Sequence, residues 1–332
     1  MTKRPIHMPE RPDHADDALT ELFRAVRFTR CIYYTMQGVP PMPPIHVPEG
    51  TAIAGGLGAR TRTVLSYHVV VEGTLFTGLP TGEVVKLEPG DVIVYPRGDM
   101  YFLSHANAGF PPADDPAKLR GLLAGVASGQ VPPAFVFGDG ANLMRLVCGF
   151  LGCDPRPFDP LLDALPRMLH VKRIDGRLKD LIDVALANTD VVGAASVRER
   201  LSESMFIETV RQHVAGLAPE RAGWLAGLHD PVVGRALAII HADLAASWTL
   251  ASLAKKCGAS RSVLADRFAK LVGQPPMQYL ARSRMQTAAQ LLRQRGATVA
   301  EIARDVGYES EAAFSRAFKK AHGVAPSDLI LS

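Results

Sequence analysis

One local pattern is written twice in the carboxy-terminal third of the chain, and an in-register repeat restricts the fold more tightly than any bulk property. The first copy spans Thr249–Pro276 and the second Thr298–Pro326. Leu253-Ala254 and Gly258 recur as Ile302-Ala303 and Gly307 at an offset of 49. Leu264, Phe268, Gly273 and Pro276 recur as Phe314, Phe318, Gly323 and Pro326 at an offset of 50. The offset changes after the glycine, so the second copy has a turn one residue longer.

Each copy carries the start and stop signals of two short helices. Thr298 and Glu301 have capping-box spacing, and Thr249 can cap the first copy in the same way. Ala254 and Ala303 are small where two helices cross. Gly258 and Gly307 end the first helix, where a left-handed conformation costs glycine little. Ser260 and Ser310 can cap the second helix, and the i, i+4 pairs Leu264/Phe268 and Phe314/Phe318 seat it on a core. Pro275-Pro276 opens a joining helix over residues 277–293. The bland alternative, a helical bundle with coincidental similarity, must satisfy all these spacings twice.

Charge follows the same division. Residues 230–332 carry 14 Lys/Arg and 8 Asp/Glu, a net of +6, whereas residues 1–229 carry 23 and 25, a net of −2. The repeat-bearing part alone is suited to a polyanion, although solvated basic helix faces give the same balance. No apolar run reaches the roughly 18 residues that cross a bilayer, and Met1–Glu10 lacks the apolar stretch of a secretory signal. A cytoplasmic protein with no membrane partner is expected. Cys31, Cys148, Cys153 and Cys257 are too few and too scattered for a disulfide framework.

The repeat also carries a family resemblance. Arg282-Ser283-Arg284-Met285 with Ala288 and Leu291-Leu292, Val306-Gly307-Tyr308-Glu309-Ser310, the run Phe314-Ser315-Arg316-Ala317-Phe318-Lys319-Lys320, and Gly323-Val324-Ala325-Pro326-Ser327 resemble the AraC/XylS family of bacterial transcription regulators over residues 230–330. Ser327-Asp328-Leu329 departs from the usual ending, in which an aromatic and an arginine follow the proline. The resemblance implies double-stranded DNA as partner, with both recognition helices in successive major-groove segments about 34 Å, or ~10 base pairs, apart. Groove-facing positions then fall on Ser262, Ala265 and Asp266 in the first helix and on Glu311, Ala312, Ala313 and Arg316 in the second. Arg316 can bind guanine bidentately or contact phosphate, and Glu311 can accept from cytosine N4. Asp266 can do likewise or pair with Arg261, and the alanines offer only apolar contact. Arg261, Arg267, Lys270, Lys319 and Lys320, with Ser260 and Ser310, are candidate phosphate contacts.

The amino-terminal part reads differently. Val64–Gly73, Glu83–Leu87 and Val92–Tyr95 are short strands separated by Gly/Pro turns, and Ala134–Phe137 and Leu143–Phe150 are further strands. Residues 1–20 read as frayed and 105–117 as a loop. After Pro160 the pattern becomes helical, over Arg177–Ala187, Val197–Leu217 and Asp230–Leu244. Gly90, Pro96 and Gly98 resemble the second cupin motif, and His68, Glu72 and Gly78 part of the first. Cupins are small β-barrels whose enzymes hold a metal with three His and one carboxylate. Here Ser66 and Tyr101 stand at two of the His positions, which leaves a poor metal set.

The fold class is therefore α+β and multidomain: a cupin-like sensor barrel over 1–155, a helical linker and dimerisation region over 156–228, and an all-α double helix-turn-helix domain over 229–332. The resemblance implies an effector-responsive regulator, not an enzyme, acting as a homodimer with scope for RNA polymerase contact. It implies no cofactor beyond a small-molecule effector, whose pocket would include His68, Glu72, Tyr101 and His105. Two other readings use the same chain: a metal-binding cupin, enzymatic or not, fused to the DNA-binding part, and a thiol switch at Cys148 and Cys153. Met205, Phe206 and Ile207 fit either a dimer seam or an internal core.

Overall fold

In the computed structural model, which describes residues 19–20, 23, 26, 28–38, 44–80, 82, 84–107, 111–112, 115–132, 134–137, 144–153, 160–187, 194–217, 224–293 and 297–330, the amino-terminal part is built around a strand that sequence alternation does not reveal. This is β1 (Phe28–Gly38), followed by β2 (Ile45–Val47), α1 (Gly50–Ile53), β3 (Thr63–Glu72), β4 (Leu75–Gly78), β5 (Val84–Leu87), β6 (Val92–Tyr95) and β7 (Tyr101–Ser104). Then come α2 (Pro116–Ser128), β8 (Ala134–Phe137), β9 (Met144–Cys153), α3 (Pro160–Ala164), β10 (Leu169–Val171), α4 (Gly176–Ala187) and α5 (Ala194–Ala215). Six strands form one sheet in the order β10-β6-β3-β9-β1-β8, and four form a second in the order β2-β7-β4-β5. The β1–β8 pair is parallel, and the pairs of β1 and β3 with β9 are antiparallel.

The two sheets enclose one core. Ile32, Tyr34 and Met36 of β1, Val64 and Val70 of β3, and Leu146, Cys148 and Phe150 of β9 meet Val47, Leu75, Leu87 and Leu103 from the other sheet. The alternate residues Cys31, Tyr33, Leu65, Tyr67, Val147 and Leu151 point the other way and are buried as well. Helices α4 and α5 account for this. The Tyr33 hydroxyl donates to the Ala185 carbonyl at 2.8 Å, and the Tyr67 hydroxyl reaches Ser202 Oγ at 3.3 Å. Ser202 in turn donates to the Ile32 carbonyl at 2.9 Å. A strand covered on both faces reads as a continuous apolar run, so Phe28–Gly38 gives no alternation to detect.

The sequence predicts helix throughout 156–228. Instead β10 lies in that span, paired with β6, and α4 and α5 belong to the same compact unit as the sheets, residues 26–217. Met205 and Phe206 are fully buried there, and Phe206 packs edge-on against Phe28. They form internal core, not a free dimer seam. The loop expected over 105–117 ends early because Asp115 caps α2, accepting from the Ala117 N–H at 2.9 Å, with Pro116 in the first turn. Residues 1–18, Glu83 and Leu143, on which expectations also fell, lie outside the described residues.

The second unit comprises the described residues 224–293 and 297–330, with 19–20 and 23. Its helices are α6 (Trp224–Gly227), α7 (Val233–Ala242), α8 (Leu250–Lys256), α9 (Arg261–Val272), α10 (Pro276–Arg293), α11 (Val299–Asp305), α12 (Glu311–His322) and α13 (Pro326–Ile330). Helix α7 is shorter than the 230–244 expected, because Asp230 spends its carboxylate on the Val232 and Val233 N–H groups. The repeat itself is as the spacing predicts. Helices α8 and α11 are 7 residues each and α9 and α12 are 12 each. Capping boxes join Thr249 to Ser252 and Thr298 to Glu301. Residues 257–260 form the first turn and 306–310 the second, one residue longer.

Candidate functional site

Helices α9 and α12 are anchored alike. Leu264 and Phe268 of α9, and Phe314 and Phe318 of α12, are fully buried, each worth roughly 1.5–3 kcal/mol of apolar transfer. At 100° per residue these pairs fix which side chains face away from the core. On α9 they are Ser262, Asp266, Ala269 and Lys270; on α12, offset by 50, they are Ala312, Arg316, Lys319 and Lys320, and all eight are exposed. Both N-termini present a serine cap. Ser260 Oγ accepts from Val263 N–H and Ser310 Oγ from Ala313 N–H, leaving the first free N–H groups of each helix open to a phosphate.

The two faces differ in charge. Where α12 carries Arg316 and Lys319, α9 carries Asp266 and Ala269. Asp266 makes no ion pair among the described residues, so the expected partner Arg261 does not neutralise it. Ser262 is held by Ser260 at 3.0 Å. Arg267, another candidate phosphate contact, is exposed and pairs with Asp230 at 3.3 Å. Arg261 and Lys270 remain exposed, as does Glu311 in the first turn of α12, while Ala265 and Ala313 are half-buried.

The bolt between the two motifs is a residue to which the spacing gives no role. Arg284 of α10 donates from Nε to the Leu244 carbonyl at 2.7 Å, from one terminal nitrogen to the Ala246 carbonyl at 2.7 Å, and from the other to the Gly307 carbonyl at 3.2 Å. One guanidinium thus ties the segment before α8 to the turn between α11 and α12. A sign of it is in the sequence: Arg284 interrupts the apolar stripe Leu280, Ala288, Leu292, all three buried, and a cation in an apolar stripe needs acceptors. Gly307 has φ +79°, and a Cβ there would stand 2.3 Å from the Ala245 carbonyl oxygen. Gly258, at φ +70°, has open space around it.

In the barrel, Tyr101, one of the two residues standing at cupin histidine positions, meets His68. The Tyr101 hydroxyl bonds His68 Nε2 at 2.5 Å and also the Ser66 side chain. Tyr95 stacks on Tyr101 with ring centroids 3.7 Å apart, and its hydroxyl bonds Thr77 at 2.6 Å. Burial holds the His68 imidazole down at about 3 and pushes the Tyr101 phenol well up. His68 Nδ1 is buried without a partner. Glu72 does not join them: it ends β3, half-exposed, facing Arg145 at 3.4 Å. His105 lies beyond the end of β7. No three His, Cys, Asp or Glu side chains are grouped as a metal set among the described residues, and Ser66 and Tyr101 do not fit the cupin metal. A cavity of about 190 Å³ opens beside His68 between β1, β2, β7 and α2.

The cysteine pair fails on geometry. Cys148 and Cys153 lie five residues apart on β9, so alternation puts them on opposite faces. About 3.3 Å per residue separates them by roughly 16 Å, against the 4.4–6.8 Å Cα separation of a disulfide. Cys148 belongs to the inner core, and burial pushes its thiol far up, the reverse of a reactive thiolate.

Comparison with known proteins agrees with both halves. Residues 17–215 match the cupin family model, and residues 253–330 match a helix-turn-helix domain model. A putative AraC-like transcription regulator of Streptomyces lividans is 36% identical over 291 residues, covering 81% of this chain and 94% of its own length. One from Streptomyces antibioticus is 34% identical, covering 84% and 92%. The HTH-type transcriptional regulator AlkR of Acinetobacter baylyi is 31% identical, covering 78% and 85%. With a cupin unit, a capped and repeated helix-turn-helix and these full-length relatives, the chain belongs to the AraC-like DNA-binding transcription regulators.

Proposed function

We propose that the two recognition helices divide the work of DNA binding. Helix α12 reads bases through Arg316, with Lys319 and Lys320 on phosphate, while α9 docks through Arg261, Lys270 and its capped N-terminus. Asp266 then acts as a filter, accepting from cytosine N4 where the base allows it and repelling the backbone elsewhere. The opposite charges at the equivalent positions Asp266 and Arg316, both exposed, carry this reading. The chain works by binding and not by catalysis, in the cytoplasm and as a homodimer, with the barrel cavity as its effector site and RNA polymerase as a further contact.

Selection of bound sequences from random DNA tests it. The wild-type chain selects two blocks centred ~10 base pairs apart. Arg316→Ala relaxes one block by about 1–3 kcal/mol per affected base pair and leaves the other sharp. Asp266→Ala raises affinity for unrelated DNA, because it removes a negative charge from the docking face. A selected site with one block, or Arg316→Ala weakening all sequences equally, overturns the division.

A further inference from the structure

The cavity in the barrel has mostly apolar walls and, among the described residues, one buried polar atom without a partner. Met36, Leu103, Leu119 and Leu122 give it apolar sides. His68 lines it too, fully buried, with Nε2 engaged by Tyr101 and Nδ1 without a partner among the described residues. A buried polar atom without a partner is rare and costly, and calls for an occupant that supplies one. His46, the other imidazole on the wall, already has an interaction of its own.

We propose that this cavity takes a compact, uncharged molecule with an apolar body and one hydroxyl or carbonyl group, held by His68 Nδ1; the proposal rests on the regulator reading above, with the cavity as effector site. Size sets the first limit. An apolar cavity of about 150 Å³ accepts benzene, so 190 Å³ admits a singly substituted ring or a short chain. Charge sets the second. Burial keeps His68 neutral at any physiological pH, so the group at the inner wall cannot balance a carboxylate. At the mouth, Lys118 shares the lining with Asp115 three residues away at the start of α2, so no unopposed cation waits there either. The ligand's polar atom therefore pairs with a neutral imidazole, which a hydroxyl does in either tautomer and a carbonyl does with Nδ1–H.

The test titrates the full-length chain with benzyl alcohol, toluene and benzoate, which share a ring and differ in the group presented to His68, and with 1-hexanol as the chain-shaped counterpart. At least one alcohol binds one site per chain and raises the melting temperature. Toluene and benzoate bind at least fivefold more weakly than benzyl alcohol, the least that leaving a buried hydrogen-bonding group unpaired costs. His68→Phe keeps a ring and removes the nitrogens, so the advantage of the alcohol over toluene vanishes. Leu122→Trp, at a half-buried site that leaves His68 intact, fills the cavity and abolishes binding of every probe. Equal affinity for toluene, preference for benzoate, no binding of either alcohol, or binding indifferent to Leu122→Trp overturns the proposal. Each preparation is also scored for binding to its selected DNA. DNA binding without probe binding refutes the ligand class alone, and loss of DNA binding by the wild-type chain refutes the regulator reading.

Discussion

At the scale of single residues, the two turn glycines look interchangeable in the sequence and are not. Both hold a left-handed φ, +70° at Gly258 and +79° at Gly307, and alanine at either position pays roughly 1 kcal/mol in backbone strain. Only Gly307 is also pressed against a neighbour: its absent Cβ leaves room for the Ala245 carbonyl and the Arg284 guanidinium. Gly258→Ala should therefore lower the stability of the helical unit by about 1 kcal/mol, while Gly307→Ala should lower it by 2 kcal/mol or more. Denaturant unfolding followed by tryptophan fluorescence reads this directly, because both tryptophans, Trp224 and Trp248, lie in that unit. Equal losses would mean that the Ala245 segment yields without cost.

At the scale of elements, what was legible in the sequence depended on where the stabilising contacts lie along the chain. Helices α8, α9, α11 and α12 are set by signals within a few residues: Thr249 and Thr298, Ser260 and Ser310, and the apolar pairs that follow. They could be placed almost to the residue. Strand β1 is set by β9 and by α5, both more than a hundred residues away, and its buried outer face erased the alternation that marks a strand. Three-residue strands such as β2 and β10 are too short for any period to show. Asp115-Pro116 is a readable helix start set inside a loop-like stretch. Arg284 is the instructive case among functional residues, since its acceptors sit on two separate elements that only the folded unit brings together. Arg284→Met keeps the length and the apolar contact of the side chain while removing five donors. The expected outcome is two intact helix-turn-helix motifs no longer held in fixed relation. Near-native helicity by circular dichroism should accompany a large loss of affinity for the two-block site, with isolated half-sites bound almost as before. Parallel losses on whole and half-sites would show that Arg284 only stabilises the fold.

At the scale of the whole molecule, each unit holds a histidine whose charged form burial disfavours, His68 fully buried and His241 half-buried, and the two make stability respond to acid. In the barrel it is His68; in the helical unit it is His241 of α7, whose Nε2 bonds the Tyr279 hydroxyl at 2.8 Å. Burial holds His241 down at about 4 and His68 at about 3. Both folded values lie below the unfolded value near 6.5, so as pH falls the unfolded chain takes up these protons first. Stability is then full above about pH 6.5 and declines below it, until the folded imidazole is itself protonated. For His241 the decline runs from about 6.5 to about 4 and is on the order of 3 kcal/mol; for His68 it extends to about 3. Tryptophan fluorescence reports the helical unit, and calorimetry reports both. His241→Gln can still hydrogen-bond Tyr279 but cannot titrate. It should flatten the acid limb of the fluorescence-detected transition and leave that of the barrel unchanged. A slope that survives in His241→Gln would assign the acid sensitivity to carboxylates released on unfolding. A barrel transition that moved with His241→Gln would show that the two units unfold as one cooperative body.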